Sequence, residues 1–419
     1  MKTFNIPKLP LKSIVDADDR LNKKPNHHLA KLQYFVNLVS NNWLFDKKIK
    51  TIDSFVNLSY SLLEDQFGKR FTKIYRDILV ENNFIEIDHT FKLKQKCKGY
   101  RINPAMRDNG YEYIQITGTF ANKMSNKSLN SKPDDVLAFL KMNQKAIYIS
   151  DYNTKMILNT ISKNDDQDVN AHACQILSSN SVTDKQKVLV HQLMAIYHHN
   201  FRISEDLNGN RIHSNISNLS KELLPYIEYI SDQGESKELV EIDFSCMQPT
   251  LIGLMALESD LDNDKQKINE FIDMCQDEDI YTKIMNEVGY EGSRSDFKNL
   301  FFGSVYSHTL WVQKNKVYQA LSNMYTDIVD YMVQTKKHNY KNLAIQAQKV
   351  ESSFVKSIIN EVRLASLSEP IFILTRYDSF IVDADYLYVV QDIINKVSMK
   401  RFGRVLKTTV KSVTNKVSA

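Results

Sequence analysis

Apolar residues recur at helical spacing through Leu29, Leu32, Phe35, Val36 and Val39, which predicts a helix with one buried face. A second helical stretch runs from Asp53 through Leu62 and Leu63 until Gly68 breaks it. A third, over Arg70 to Asn82, turns Phe71, Ile74, Ile78 and Leu79 inward. The period then falls to two. FIEID, with Phe84, Ile85 and Ile87, and the later GYRINP read as short strands, and the lysine-rich DHTFKLKQKCK between them reads as a hairpin tip. Three helices followed by a basic hairpin make a winged-helix-like pattern over residues 30–105, behind an N-terminal arm of residues 1–29.

Residues 106–132, which include MSNKSLNSKPDD, have little periodicity and read as a linker or loop. Helical spacing returns over residues 133–204 and is clearest in DKQKVLVHQLMAIYHH. Within residues 205–419 three segments stand out. KELVEIDFSCMQPTLIGLMAL is an apolar strand ending at Asp243, followed by a helix from about Met247. In IFILTRYDSFIVDADY one strand leads to Asp378 and another leads away, which places the acid at a hairpin turn. Between them, GSRSDFKNLFFGSVYSH spaces Arg294, Lys298, Phe302 and Tyr306 four residues apart, so that a helix carries them on one slowly drifting stripe.

The balance of 42% hydrophobic and 25% charged residues is that of a globular chain, and 419 residues predict two or three domains. With 54 basic against 50 acidic residues the net charge is only +4, so a nucleic-acid partner has to be argued from local clustering. Such a cluster lies in the winged-helix-like segment: Lys69, Arg70 and Lys73 beside the third helix, and Lys92, Lys94, Lys96 and Lys98 on the hairpin. These would meet DNA phosphates, contacts that position without specifying sequence. A small helical cap with solvated charges has the same pattern, and winged helices also bind protein partners. The four cysteines form no CxxC pair, which argues against a zinc site or disulfide framework and makes a reducing cytoplasm the expected location. No signal peptide is expected, and no stretch nears the roughly 18 apolar residues of a membrane helix.

A carboxylate at the end of a buried strand is costly unless it caps, pairs or binds metal. Asp243 is open to both a helix N-cap and a metal reading, and Asp378 to ordinary turn chemistry. Together, two strand-borne carboxylates suit two Mg²⁺ ions about 4 Å apart, one activating a 3′-hydroxyl and one stabilising pyrophosphate. The backbone carbonyl of Phe244 is a natural further ligand. On the helix between them, Arg294 and Lys298 suit the phosphates of a triphosphate and Phe302 suits its base. Lys298 is also placed to protonate the leaving pyrophosphate.

In this order the segments resemble family A DNA polymerases, relatives of the single-subunit phage RNA polymerases. DFSCMQP resembles motif A, approximately DYSQIELR, at Asp243, Ser245 and, in the glutamate's place, Gln248. RSDFKNLFFGSVYS resembles motif B, approximately RRxxKxxNFGxxYG, at Arg294, Lys298, Phe302, Gly303 and Tyr306. Motif C, approximately HDE, is Tyr377, Asp378 and Ser379 here and keeps only the aspartate. Lesser landmarks are NRIHSNISNLS at Arg211, Ser214, Asn218 and Leu219, DEDIYTKI at Asp279 and Ile280, and NLAIQAQKVES at Asn342 and Gln346.

The resemblance implies a helix-rich α+β right-hand polymerase. An antiparallel palm sheet and helical fingers would occupy residues 205–419 and a thumb-like helical region residues 133–204. It implies DNA-directed DNA synthesis with two Mg²⁺ ions, for which Mn²⁺ substitutes, on a DNA primer–template with dNTPs or NTPs. Arg211, Asn218, Gln346 and Tyr377 would meet primer and template. Asp243 and Asp378 would hold metal, while Arg294, Lys298, Phe302, Tyr306 and Gln248 would hold the nucleotide. Gln248 in place of a glutamate leaves sugar discrimination open. No proofreading nuclease and no membrane partner is expected, and a polymerase with its own DNA-binding head suggests a mobile element or phage. Two alternatives stand beside DNA synthesis: an RNA polymerase or primase on the same site, and a non-catalytic DNA-binding replication initiator or regulator.

Overall fold

The computed structural model of the chain describes residues 2–41, 54–88, 98–107, 109–121, 135–164, 168–206, 208–231 and 233–413. It is a helix-rich α+β protein with small antiparallel sheets, in two compact units. The first unit takes in Met1–Pro133, Ile147–Arg202 and Asn218–Glu228, and the second Asp134–Ala146, Ile203–Ser217 and Tyr229–Ala419.

In the first unit β1 (Lys2–Pro7) leads through α1 (Leu11–Ala17) to α2 (Pro25–Asn41), which buries Leu32, Phe35, Val36 and Val39 as their spacing predicts. Then come β2 (Val56–Asn57), α3 (Tyr60–Phe67), α4 (Lys69–Glu81), β3 (Ile85–Asp88) and β4 (Gly99–Ile102). Gly68 separates α3 from α4 at φ 84°, a backbone state that L side chains rarely adopt. α4 buries Thr72, Tyr75, Ile78 and Leu79, with Phe71 and Ile74 partly covered beside them. The strands form an antiparallel sheet in the order β2-β4-β3. Lys92, Lys94 and Lys96 lie outside the described residues.

After α5 (Pro104–Arg107), β5 (Tyr111–Ile116) pairs antiparallel with β1, from Lys2 opposite Ile116 to Pro7 opposite Tyr111. A strand thus stands inside the stretch expected as linker or loop. Its YEYIQI buries Tyr111, Ile114 and Ile116 against the first unit's core, a signal hidden by its polar surroundings. The helical region of the sequence contains α6 (Asp135–Lys145), β6 (Ile147–Tyr148), α7 (Asp151–Ile161), α8 (Val169–Ser178) and α9 (Asp184–Tyr197). Of these, α6 belongs to the second unit, where Asn143 donates to the Ile373 carbonyl at 2.9 Å.

The second unit continues with the hairpin β7 (Ile203–Glu205) and β8 (Ile212–Ser214), then β9 (Glu228–Ile230), whose Glu228 is counted with the first unit, and β10 (Ser236–Lys237). β11 (Leu239–Phe244) runs into α10 (Met247–Leu257), which is apolar on nearly every side and correspondingly buried. There follow α11 (Lys265–Asp277), α12 (Ile280–Val288), α13 (Arg294–Tyr306), α14 (Thr309–Val312), α15 (Lys316–Met324), α16 (Thr326–Lys336) and α17 (Asn342–Ala365). β12 (Ile373–Thr375), β13 (Ser379–Asp383), α18 (Leu387–Phe402) and β14 (Thr408–Ser412) complete it. The sheet order β12-β13-β11-β14 is antiparallel throughout and puts β11 between two neighbours. Among the described residues no helix is long and apolar enough to cross a membrane.

Candidate functional site

Asp243 lies opposite Ser379 of β13 on one side and Thr409 of β14 on the other. Asp378 immediately precedes β13, and its carbonyl accepts the Phe244 N–H at 3.2 Å, so the turn that carries Asp378 adjoins the end of the strand that carries Asp243. Asp243 is not spent as a helix cap. The N-cap of α10 is Cys246, in the left-handed region at φ 47°, and its side chain makes no capping hydrogen bond. Burial, then the nearby Asp243 carboxylate, pushes the Asp378 carboxyl above its ordinary value, while Lys298 and Arg211 pull it back. Asp243 is half-buried, with the Lys411 ammonium at 3.3 Å. Phe244 buries its ring against Phe354 and Phe380, anchoring the backbone whose carbonyl was expected as a ligand.

The turn itself is fixed from below. Tyr377 is left-handed at φ 62°, a conformation that a bulky residue keeps only where its surroundings impose it. Glu241 on β11 supplies part of that constraint. It accepts from Ser379 Oγ at 2.7 Å and pairs with Arg376 at 3.1 Å.

Ser293 caps α13 by accepting the Asp296 N–H, and the helix presents the expected stripe. Arg294 grips Asp279 in a bidentate pair, Nε–Oδ2 2.6 Å and Nη2–Oδ1 3.0 Å. Arg294 and Lys298 lie 5.1 and 5.6 Å from the Tyr281 ring centroid. The Phe302 and Tyr306 rings are stacked within 4° of parallel, with centroids 5.8 Å apart. All four residues share one face.

From Tyr306 a polar chain runs toward the aspartates. The Tyr306 hydroxyl donates to Gln248 Oε1 at 2.6 Å, and Gln248 Nε2 donates to Glu351. The Glu351 carboxylate, 1% exposed, pairs with Arg211 at 2.7 Å. Burial raises the Glu351 pKa and Arg211 lowers it, with Asp378 adding a smaller upward push. The Arg211 guanidinium lies 5.4 Å from the Tyr377 ring, whose hydroxyl is 3.4 Å from His213 Nδ1. Arg211 is aimed by a tight turn in which Asp206 accepts the N–H groups of Asn208, Gly209 and Arg211. Gly209 lets that turn press on α17: a Cβ there would stand 2.6 Å from Gln348 Oε1.

Of the remaining expected residues, Gln346 is exposed on α17. Asn218 belongs to the first unit, where its carbonyl accepts from Gln192 at 3.0 Å. Lys69, Arg70 and Lys73 are exposed on α4, and Lys98 is half-buried. Three residues that hold the candidate site residues in place were missed in the sequence: Glu241, Asp279 as the partner of Arg294, and Glu351. Glu351 left a signal, because Leu343, Ala347, Glu351 and Val355 follow at four-residue steps and put a carboxylate in the apolar stripe of α17.

No family model and no curated protein matches the chain. Among solved structures, it is similar to the POL domain of Pol1 from M. smegmatis in complex with DNA primer-template and dNTP. That likeness has a TM-score of 0.45 and 10% identity, and covers 70% of this chain and 71% of the other.

Proposed function

We propose that the chain carries out template-directed nucleotidyl transfer, as a DNA-directed DNA polymerase of the family A kind. The observation that carries this reading is the pair Asp243, on β11, and Asp378, in the turn that enters the neighbouring antiparallel β13, together with a helix face of two cations and two stacked rings. The winged-helix-like reading of the first unit is supported by the order helix, strand, helix, helix, strand, strand and by the sheet order β2-β4-β3. Its exposed Lys69, Arg70 and Lys73 suit DNA phosphates, and the same surface suits a protein partner.

The donor chemistry fits Mg²⁺. Two carboxylates that repel each other gain from a shared cation, and Mg²⁺ commonly takes one or two carboxylates plus substrate phosphates. Among the described residues no group of three or more His, Cys, Asp and Glu forms a fuller cage. Asp243, Asp378 and the Phe244 carbonyl would hold the ions, which when bound would lower the pKa of the primer 3′-hydroxyl and neutralise charge on the phosphates. Arg294, kept in place by Asp279, and Lys298 orient the triphosphate, and Lys298 hands a proton to the departing pyrophosphate. Phe302 stacks on the incoming base. Tyr306 and Gln248 read the sugar, while Arg211, Gln346 and Tyr377 of the second unit meet primer and template.

Parallel primer extension with dNTPs and with NTPs tests the assignment, with Mg²⁺ or Mn²⁺ present. Incorporation of dNTPs is expected, and Asp378→Asn should abolish it while leaving DNA binding by the basic head intact. Preference for NTPs would replace DNA synthesis by RNA synthesis or priming. No incorporation on any primed or unprimed template would leave a DNA-binding initiator or regulator.

A further inference from the structure

Beyond α13 the chain exposes an aromatic cluster that the proposed polymerase site does not use. Trp311, on the short α14, is 78% exposed and its neighbour Leu310 is 70% exposed. The His308 ring lies 5.4 Å from Trp311 and 6.0 Å from Tyr340, which joins the row from the segment before α17. Lys336 brings the two segments together: it is buried and donates to the Ser307 carbonyl at 3.1 Å. The Lys341 ammonium stands 5.7 Å from the Tyr340 ring.

The charge along the two segments that carry the row is one-sided. No aspartate or glutamate occurs between Asp296 and Asp327, or between Asp330 and Glu351, in a chain that otherwise balances its signs. Those intervals supply Lys314, Lys316, Lys337 and Lys341, all exposed. An apolar protein partner would be served by the rings but would gain nothing from the exposed lysines. A single strand of nucleic acid uses both, since its bases stack on aromatic faces and its phosphates attract the ammonium groups. In duplex DNA the base faces are already stacked on one another.

We propose that Trp311, His308 and Tyr340, flanked by Lys337 and Lys341, form a stacking platform for single-stranded DNA. Binding there requires neither nucleotide nor metal, so it stands or falls separately from the polymerase reading.

The test uses the full chain, without dNTPs or Mg²⁺, and a fluorescein-labelled thymidine oligomer of about 12 nucleotides, within the usual span of such sites. Trp311→Ala should weaken binding about tenfold, within the range for loss of one stacked base, and leave binding of a blunt duplex unchanged. Trp311→Phe should retain binding but lose the quenching of tryptophan emission that the oligomer causes in the wild type. Removing Lys337 and Lys341 together should reduce the slope of log affinity against log salt by roughly 1.4, two phosphate contacts' worth for a single strand. Wild-type affinity in Trp311→Ala would overturn the proposal, as would an equal loss for single strand and duplex. A protein captured through Trp311, with thymidine binding unaltered, would overturn it too.

Discussion

Glu351 ties together Gln248, which bonds Tyr306, and Arg211, which faces Tyr377. Glu351→Ala should destabilise the protein by about 1–3 kcal/mol in urea unfolding, because the half-buried Gln248 and Arg211 lose their acceptor. In an active enzyme it should also narrow the preference for dNTPs over NTPs, read as the ratio of kcat/KM, since Gln248 then holds Tyr306 less firmly. Lys336 gives a pH-dependent expectation. Burial pulls its pKa from 10.5 to about 8, so between those values the unfolded chain binds more protons than the folded one. Its contribution to stability therefore rises with pH across that window, by at most about 1.4 kcal/mol per pH unit. The stability difference between wild type and Lys336→Met, followed by urea unfolding from pH 8 to 10, should move in the wild type's favour. The places of Asp243 at a strand end, Lys298 on a helix and Asp378 at a turn were legible in the sequence, because each stands in a short local segment whose pattern is visible without its partners. Asp279 and Glu241 were not, since their roles consist in whom they touch across the fold.

Helices with a clean apolar face were legible as elements: α2 and α4 fall within a few residues of their expected spans. β5 was not, because six alternating residues inside polar sequence carry too weak a signal. α10 and α11 meet at Gly253, where an added Cβ would stand 2.6 Å from Ile272 Cγ1 and 3.1 Å from Phe271 Cδ1. Gly253→Ala should cost about 1–3 kcal/mol through overpacking, read as a lower urea midpoint at unchanged slope. Ser293→Ala removes the cap of α13 and should cost about 1 kcal/mol in the same assay. Because that cap starts the helix at Arg294, under the proposed polymerase function the KM for nucleotide should rise more than kcat falls.

Two units with separate cores predict more than one unfolding event in the whole molecule. Calorimetry should resolve two transitions, and Gly253→Ala should lower one and spare the other. A single transition displaced as a whole would contradict this. That α6 belongs with the second unit was not legible, since the bond from Asn143 to Ile373 joins residues 230 positions apart. The sheet order has a comparable reach. β11 receives its outer neighbour from β14, and Asp243 lies 166 residues before Thr409. A growing polypeptide emerging from the ribosome therefore presents the Asp243 strand long before the strand that flanks it exists. Until then its free backbone edge is open to pairing with other nascent chains, so that slow elongation between Asp243 and Thr409 becomes a period of exposure to aggregation and to chaperones.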